Sequence, residues 1–413
     1  MSDPVRGQYE AYPYPERDPA AEDRRLITGS PSHLDEVNHY VFAGRRDFTQ
    51  PFRALVAGGG TGDAAIMLAQ QLADAGGAHE VVYLDLSAAS RAIAEARAAR
   101  RGLANIRFLT GSLLDLADLA PGPYDYIDCC GVLHHLEDPA AGLRALAGQL
   151  GEPGGIGLML YGELGRTGVY PLQTALRALT ADEPAEDRVA LARRVLAQLP
   201  ETNWLRRNPL VADHLTGGDA GLYDLLLHGR DRAYRVPEVI TLADGAGLAV
   251  AGFLPPALYE PASLLSDPVL LKRIAALPAA DRWALAELLA GTMKTHVAYL
   301  VPAARAGDSV ARADGADAVP VLRDDDGAVL AAGLKPGGTL RADQDGLTLS
   351  FPLPRLTRLI LERIDGRASL GDIHRGCAAA GDGDLDWAAF KRQFDQLHAA
   401  LGGLGKMLIR RPG

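Results

Sequence analysis

The feature that most constrains the fold is an alternation of short apolar runs with alanine-rich helical stretches from about residue 53 to 161. The apolar runs are RALVAG (53–58), EVVYLDL (80–86), NIRFLTG (105–111), YDYIDCC (124–130) and GGIGLMLYG (154–162). Strands that alternate with helices predict βαβ units and a parallel sheet, and nearly unbroken apolar runs suit strands buried on both faces. We therefore expect an α/β fold with a doubly wound sheet.

The rest of the chain divides by composition. Residues 1–49 read as an N-terminal arm or lid, and 50–302 as the main domain, with a helical cap at about 163–235 and a helical insert at about 266–293. The segment 303–318 is small and polar, as linkers are. Residues 319–413 contain two hairpin patterns, near DDDG (324–327) and DQDG (343–346), then helix patterns followed by a β-ribbon, which predict a small α+β module resembling a winged helix.

Charge and targeting signals narrow the partners and the compartment. The N-terminus lacks an apolar signal core, no apolar run approaches the roughly 20 residues of a membrane helix, and the three cysteines form no CxxC pair. A cytoplasmic protein without a membrane association is expected. The net charge of −10, with 15 acidic and 15 basic residues from 303 onward, makes DNA an improbable ligand. The C-terminal module suits dimerisation, peptide binding or substrate presentation better, so an oligomer is possible.

A glycine-rich turn, GGGTGD (58–63), joins the first strand pattern to a helix pattern. Bare N–H groups and a helix N-terminus suit a phosphate or a carboxylate. A dinucleotide fingerprint fails because Asp63 occupies its last glycine position, and the lysine of a P-loop is missing. Asp85, 23 residues after Gly62, ends the second strand pattern, where a carboxylate can accept hydrogen bonds from ribose hydroxyls. The ligand is expected to carry a ribose, although such a turn can also be only a tight connection.

Two further motifs follow the third and fourth strand patterns, TGSLLDL (110–116) and YDYIDCCGVLHHLEDP (124–139). In order and spacing, residues 50–161 resemble the class I S-adenosylmethionine-dependent methyltransferases. The resemblance implies S-adenosylmethionine as cofactor. It implies these cofactor-binding residues: Gly58, Gly60, Gly62, Asp85, Leu86, Ser112, Leu113 and Cys130. Many relatives have Asp where Ser112 stands, so Asp115 is a possible substitute in the adenine contact.

Methyl transfer from a sulfonium is an in-line displacement with a neutral leaving group, so alignment and exclusion of water can supply most of the catalysis. A general base is needed only when the acceptor carries a proton at working pH. Four candidate catalytic residues lie where an acceptor would bind: His134, Tyr14, Tyr161 and His214. Three of them have an alternative role: His134, with His135, could pack and cap the next helix, Tyr14 could belong to an anchoring arm, and His214 could belong to a solvated face. No metal is expected because no HExxH-like spacing occurs.

The sequence therefore predicts a methyltransferase acting on a small molecule or on a protein or peptide side chain. A tRNA or rRNA acceptor is an alternative, for which Arg193, Arg194, Arg206 and Arg207 could form a basic groove. A cofactor-binding regulator or scaffold without catalysis is another. The acceptor atom stays open between N, O, C and S.

Overall fold

The computed structural model describes residues 4–180, 183–381 and 385–411. These residues form two compact units. The first comprises the chain up to His33 together with Phe48–Leu248 and Gly291–Val297, and the second comprises Leu34–Asp47, Ala249–Ala290 and the chain from Ala298 onward. Within the described residues, no helix is long and apolar enough to cross a membrane.

The strands, in chain order, are β1 (Phe52–Ala57), β2 (His79–Asp85), β3 (Ile106–Thr110), β4 (Tyr124–Cys130), β5 (Leu150–Tyr161), β6 (Leu248–Leu254), β7 (Thr295–Pro302), β8 (Val319–Leu322), β9 (Thr339–Gln344), β10 (Leu347–Pro352) and β11 (Met407–Arg410). The helices are α1 (Pro4–Ala11), α2 (Leu34–Val41), α3 (Asp63–Ala75), α4 (Ala88–Arg100), α5 (Leu116–Leu119), α6 (Pro139–Ala147), α7 (Val169–Thr180), α8 (Ala185–Leu196), α9 (Asp213–Thr216), α10 (Gly218–Leu222), α11 (Val236–Asp244), α12 (Pro268–Ala275), α13 (Ala279–Ala290), α14 (Gly327–Gly333), α15 (Thr357–Leu361), α16 (Leu370–Ala380) and α17 (Trp387–Gly403).

The main sheet has seven strands in the order β3-β2-β1-β4-β5-β7-β6. The pairs β1 with β2, β2 with β3, β1 with β4 and β4 with β5 are all parallel. The apolar runs of β1 and β2 are buried, as strands covered on both faces must be. The strand order reverses between β1 and β4, and ligands of such sheets bind beside this reversal at the carboxyl ends of the strands. The predicted α/β, doubly wound fold is confirmed.

The glycine turn lies at that reversal, between β1 and α3. Gly58 has φ of +78° and Gly62 has φ of +105°, in a region of backbone conformation that side-chain-bearing residues rarely adopt. The amides of Gly58 and Gly59 both donate to the carbonyl of Leu84 at the end of β2, at 2.7 and 3.1 Å. The turn is therefore held against β2, beside Asp85.

The second unit has its own core, built around α15, α16 and α17 with Phe390, Phe394 and Leu397 fully buried. Strand β8 pairs antiparallel with β11, and β9 with β10. Helix α2 belongs to this unit because the amide of Ile409 in β11 donates to Nδ1 of His39 at 3.0 Å.

The compact units differ from the segments predicted for the chain. The N-terminal segment 1–49 is divided, since α2 lies in the second unit, and the insert at 266–293 forms α12 and α13, also mainly in that unit. The segment 303–318, expected to be a linker, packs near α2: Ala43 donates its amide to the carbonyl of Ser309, and Ala311 donates to that of His39. A segment of small polar residues can form such close backbone contacts as readily as it can form a flexible linker.

Of the two expected turns in the C-terminal module, DQDG (343–346) does connect the β9–β10 hairpin. At DDDG (324–327) a helix begins instead, because the Asp326 carboxylate accepts the amides of Ala328 and Val329 and caps α14. The hairpin precedes α15–α17 rather than following them. The winged-helix assignment stays a prediction.

Candidate active site

Gly62 is the N-cap residue of α3, and its conformation turns the chain into the helix without a hydrogen bond from a capping side chain. Asp63, in the first turn, accepts hydrogen bonds from Arg17 at 2.7 Å and from Arg97 at 2.6 Å. Arg17 is therefore engaged with Asp63. Free main-chain amides and the positive end of the α3 dipole still favour an anionic group here.

Asp85 connects the glycine turn to the start of α4. One carboxylate oxygen accepts the amide of Gly60 at 2.8 Å, and the other accepts the amide of Ser87 at 2.8 Å. Burial raises the pKa of Asp85, while these main-chain amides act in the opposite direction. Each carboxylate oxygen has a second lone pair, so Asp85 retains the capacity to accept ribose hydroxyls.

A cavity of about 350 Å³ opens over the glycine turn and Asp85. Seven of the eight residues predicted to bind the cofactor line it: Gly58, Gly60, Asp85, Leu86, Ser112, Leu113 and Cys130. The described lining residues do not include Gly62, which forms the turn into α3. They do not include Asp115 either, so the suggested substitute for Ser112 lies outside the cavity. The predicted cofactor residues are thus brought together although their motifs lie on four strands.

The apolar wall near β4 contains a buried acid that the sequence reading did not single out. Asp128 accepts a hydrogen bond from the Ser32 hydroxyl at 2.6 Å, and burial raises the pKa of Asp128 to about 6. Burial also raises the pKa of the neighbouring Cys130 thiol. Cys130 therefore stays a neutral thiol at the cavity wall, beside a carboxyl group that ionises only near pH 6.

A polar cluster lines the same cavity. The sequence indicated Tyr161 as a candidate but did not predict its association with Tyr9. Tyr9 donates its hydroxyl to one oxygen of Asp224 at 3.0 Å, and Tyr161 donates to the other at 3.2 Å. Burial raises the pKa of Asp224 to about 6 and raises the pKa of both tyrosines far above neutrality. The tyrosines therefore remain protonated donors, and Asp224 is the group that changes charge near neutral pH.

Two imidazoles complete this cluster. The rings of His135 and His228 stack with centroids 3.9 Å apart and an interplanar angle of 17°. The Tyr9 hydroxyl lies 3.4 Å from Nε2 of each ring. Only the pattern VLHHL drew attention to His135, and nothing in the sequence related it to His228 or to Tyr9.

The four predicted catalytic residues have different locations. Tyr14 and Tyr161 line the cavity, whereas His134 and His214 are not among its described lining residues. His134 is buried against the Tyr161 ring, with centroids 3.9 Å apart, and neither of its ring nitrogens has a hydrogen-bond partner among the described residues. His134 is the predicted candidate of the histidine pair, but His135 is the one that lines the cavity. The tight turn at Leu133–His135 directs His135 toward the cavity and packs His134 behind it.

His214 lies in the short helix α9, buried outside the cavity. The cap segment still contributes to the site through Asp224 and Arg230. Asp224 lies in a π-helical turn, Tyr223–Leu227, a geometry that often occurs at functional sites. The sequence predicted a helical cap here, but it did not tell which polar residues of the cap line the cavity.

Among the residues that the structure describes, two groups of side chains bring three possible metal-ligand atoms within 4.8 Å of one another: His134, His135 and Asp231, and His135, Asp224 and His228. In the second group the amide of Arg230 donates to Nδ1 of His228 at 3.0 Å, so the proton of that neutral ring is on Nε2. The Nε2 lone pair that a metal would need is then occupied. The arrangement suits a hydrogen-bonded network better, and the absence of a metal stays a prediction.

Comparison with known proteins gives a family and a fold. A family model described as a methyltransferase domain matches residues 55–156. An uncharacterized protein of Synechococcus sp. is 34% identical over 295 residues, which cover 69% of this chain and 68% of that protein. The tRNA 5-carboxymethoxyuridine methyltransferase of Escherichia coli K12 is 34% identical over 113 residues, covering 27% of this chain and 41% of that enzyme.

Among solved structures, PKMT2 from Rickettsia typhi is similar with a TM-score of 0.63 at 15% identity, covering 94% of this chain and 76% of that one. Its complex with AdoHcy is similar with a TM-score of 0.62, covering 92% and 75%. At this identity the likeness concerns the fold, and it extends over both compact units rather than over the sheet alone.

Proposed function

Since the chain belongs to the class I S-adenosylmethionine-dependent methyltransferases, we propose that it transfers a methyl group to a small molecule or to a protein or peptide side chain by in-line displacement. S-adenosylmethionine is the cofactor, and when bound it supplies a methyl group on a sulfonium whose sulfur departs as a neutral thioether. The observation that supports the proposal is that one cavity is lined both by the glycine turn with Asp85 and by Tyr9, Asp224 and His135.

The residues of the first half of the cavity fit the cofactor. Asp85 would accept hydrogen bonds from the ribose hydroxyls, and the amides at the start of α3 would hold the methionyl carboxylate. Leu86 and Leu113 offer apolar contacts for the adenine, and Cys130 lies where the methionyl part would pass. A Cβ atom on Gly58 would lie 2.2 Å from Val132, so the backbone approach here depends on glycine.

The remaining lining residues would position the acceptor. The hydroxyls of Tyr9 and Tyr161, the carboxylate of Asp224 and the ring of His135 form a set of hydrogen-bonding groups that can orient a polar nucleophile. Arg230 also lines the cavity, with its guanidinium 3.6 Å from the exposed carboxylate of Glu137. An acceptor with a polar reactive atom fits this surface, which is compatible with a small molecule and with a side chain inserted from a protein.

An RNA acceptor has weaker support from the residues that would form its groove. Arg193 pairs with Asp219, while Arg206 and Arg207 each donate to a nearby main-chain carbonyl. Exposed pairs of this kind are weak, so the arginines could exchange partners for phosphates. The similarity to a tRNA methyltransferase over 27% of the chain keeps this alternative as the second candidate. A non-catalytic regulator is the third.

The decisive binding experiment is calorimetric titration of S-adenosylmethionine and S-adenosylhomocysteine into the wild-type protein, with NADH and ATP as comparison ligands. We expect binding of both sulfur nucleosides and weak or no binding of the comparison ligands. Absence of binding by correctly folded wild-type protein would contradict the proposal.

The acceptor is then sought with methyl-labelled S-adenosylmethionine in a cell extract divided into small-molecule, protein and RNA fractions. Label in the small-molecule or protein fraction supports the proposed function, and label that ribonuclease removes identifies the RNA alternative. Cofactor binding without label in any fraction supports a regulator. The Asp85→Asn variant serves as the negative control because it retains the shape of the site.

A further inference from the structure

We propose that Nε2 of His135 is the general base of the transfer, and that the acceptor is a hydroxyl, amine or other group that gives up a proton when it is methylated. This inference rests on the proposed function and narrows its substrate class. It excludes acceptors such as a tertiary amine or a thioether, which carry no proton on the reacting atom. Its basis is the distribution of hydrogens among His135, His228, Tyr9 and Asp224.

The main chain of Arg230 sets the tautomers of both histidines. Its amide donates to Nδ1 of His228 at 3.0 Å, so the hydrogen of neutral His228 is on Nε2. Its carbonyl lies 2.9 Å from Nδ1 of His135, and a carbonyl can only accept, so His135 carries its hydrogen on Nδ1. One residue therefore leaves His228 with a donating Nε2 and His135 with an Nε2 lone pair.

Tyr9 does not donate its hydroxyl hydrogen to the Nε2 lone pair of His135. Its single hydroxyl hydrogen goes to Asp224 at 3.0 Å, which is closer than Nε2 of His135 at 3.4 Å. The hydrogen on Nε2 of His228 can in turn be donated to the Tyr9 oxygen at 3.4 Å. The hydrogens of this group are then all assigned, and Nε2 of His135 is left as an acceptor at the cavity wall.

Burial lowers the pKa of His135, and the nearby Arg166 adds to this effect, whereas Asp231 and the carbonyl of Arg230 oppose it. A neutral imidazole at neutral pH is the form that a base requires. The ionisable and charged groups facing His135 come from several elements. They are Tyr9, His134, Tyr161, Arg166, Asp224, His228 and Asp231.

Asp224 is the competing base because it also lines the cavity. Both of its oxygens already accept a tyrosine hydroxyl, from Tyr9 and from Tyr161. One of its carboxylate oxygens and a ring nitrogen of His135 lie within 4.8 Å of each other. We assign Asp224 the role of a positioning residue that orients Tyr9 and stabilises the imidazolium formed on His135.

The step balances without a further reactant. The bond from the acceptor atom to the methyl carbon forms as the carbon–sulfur bond breaks, and the electron pair of that bond stays on sulfur. The proton of the acceptor atom passes to Nε2 of His135, which becomes an imidazolium. This proton is released to solvent after the products leave.

The first test does not require an acceptor or the cofactor. Nitrogen-15 NMR of histidine-labelled protein near pH 7.5 distinguishes the two neutral tautomers, with assignments from His135→Gln and His228→Gln. We expect His135 as the Nδ1–H tautomer and His228 as the Nε2–H tautomer. Any other assignment for His135, or an imidazolium at this pH, overturns the inference even if the cofactor binds.

The second test is kinetic, with label transfer into the acceptor fraction as the assay. We expect His135→Gln to lower kcat by about 10²- to 10⁴-fold, the usual range for loss of a general base, with little change in cofactor affinity. The decline of kcat at low pH, which protonation of His135 causes in the wild type, should be absent in His135→Gln. Imidazole added to His135→Ala should restore part of the rate. His79→Gln, at the start of β2, is the control and should behave as wild type.

The outcomes separate this inference from the proposed function. Cofactor binding and methyl transfer that persist at full rate in His135→Gln leave the proposed function intact and overturn the base assignment. The base assignment is likewise overturned, and the proposed function left intact, if Asp224→Asn removes the acidic limb of the pH profile while His135→Gln keeps it. Inactivation by a chelator, with recovery on adding Zn²⁺, would assign the cluster to a metal and overturn the inference as well.

Discussion

The Asp85 carboxylate accepts the amide hydrogen of Gly60 at 2.8 Å, so the acid at the end of β2 and the glycine turn after β1 form one unit. The acid thereby holds the turn in the conformation that faces the cavity. A side chain that would serve the cofactor also organises the loop beside it. Replacing Asp85 is expected to affect binding in two ways, through the lost ribose contact and through a less ordered turn.

Asp85→Ala should weaken S-adenosylmethionine binding by about 10- to 100-fold, because hydrogen bonds to a charged group contribute about 1.5–3 kcal/mol. Calorimetric titration of both variants measures the change. Asp118→Asn, an exposed residue of α5, is the matched control and should bind as wild type. Equal affinity of Asp85→Ala and wild type would remove Asp85 from the cofactor site.

Gly58→Ala should destabilise the first unit and weaken cofactor binding. The added Cβ would lie 2.2 Å from Cγ2 of Val132, and φ at Gly58 is +78°. The combined clash and backbone strain should cost about 2–4 kcal/mol of unfolding free energy. Gly102→Ala separates the two effects, since φ there is +69° but no described atom lies within 4 Å of the added Cβ.

Urea unfolding of these glycine variants measures the free energies. We expect Gly58→Ala to lose clearly more stability than Gly102→Ala, whose cost should be about 1 kcal/mol from backbone strain. Adding Val132→Ala to Gly58→Ala should restore part of the difference by removing the clashing methyl group. Equal losses at the two glycines would show that contact with Val132 does not matter.

Asp128→Asn should flatten part of the pH dependence of stability. Burial raises the pKa of Asp128 to about 6, above the value near 3.9 in an unfolded chain. A group with a raised folded-state pKa adds stability that is fully present below pH 4 and is lost as the pH rises through 6. The loss from this residue amounts to roughly 3 kcal/mol, at 1.36 kcal/mol per pH unit.

The corresponding measurement is urea unfolding of wild type and Asp128→Asn at intervals from pH 4 to 8. The difference in unfolding free energy between the two proteins should change in favour of Asp128→Asn between pH 4 and 6 and then stay level. Asp118→Asn should run parallel to wild type because this carboxylate is exposed. A constant difference for Asp128→Asn would show that the carboxyl group has an ordinary pKa.

Arg97→Met should cost about 3–5 kcal/mol of unfolding free energy. Arg97 is 1% exposed and donates to the equally buried carboxylate of Glu22, with Nη2 at 2.6 Å, so its removal leaves this buried negative charge with Arg101 but without its most deeply buried partner. Arg100 lies on the same helix as Arg97 and forms an exposed ion pair with Asp23. Arg100→Met breaks this pair and should cost at most about 1 kcal/mol.

Chemical denaturation measures these losses, and the double variant Arg97→Met with Glu22→Leu extends the test. It should regain part of the stability lost in Arg97→Met, because the buried Glu22 carboxylate is removed together with Arg97. The recovery is only partial because Arg101 and Asp63 each lose one ion-pair contact. If the double variant is less stable than Arg97→Met, the pair contributes through interactions other than mutual charge neutralisation.

The sequence by itself determined the elements that local pattern controls. Apolar runs of six to nine residues predicted β1 to β5, and the glycine-rich stretch predicted the turn before α3, where Gly58 and Gly62 adopt positive φ. The residues predicted to bind the cofactor lie at the ends of strands or shortly after them, and the carboxyl ends of parallel strands meet at one edge of the sheet. The DDDG turn was predicted incorrectly, since an aspartate before a helix and an aspartate in a hairpin look alike in sequence.

Only the tertiary structure decided which polar side chains line the cavity beside the glycine turn. Tyr9 and Asp224 are 215 residues apart, and Tyr9 and His135 are 126 apart, so no local period relates them. His134 and His135 have the same chemistry in sequence, and they differ because one packs on Tyr161 while the other is bound by the Arg230 carbonyl. Hydrogen-bond partners supplied by distant segments select a tautomer and a pKa, and a linear pattern contains no information about those partners.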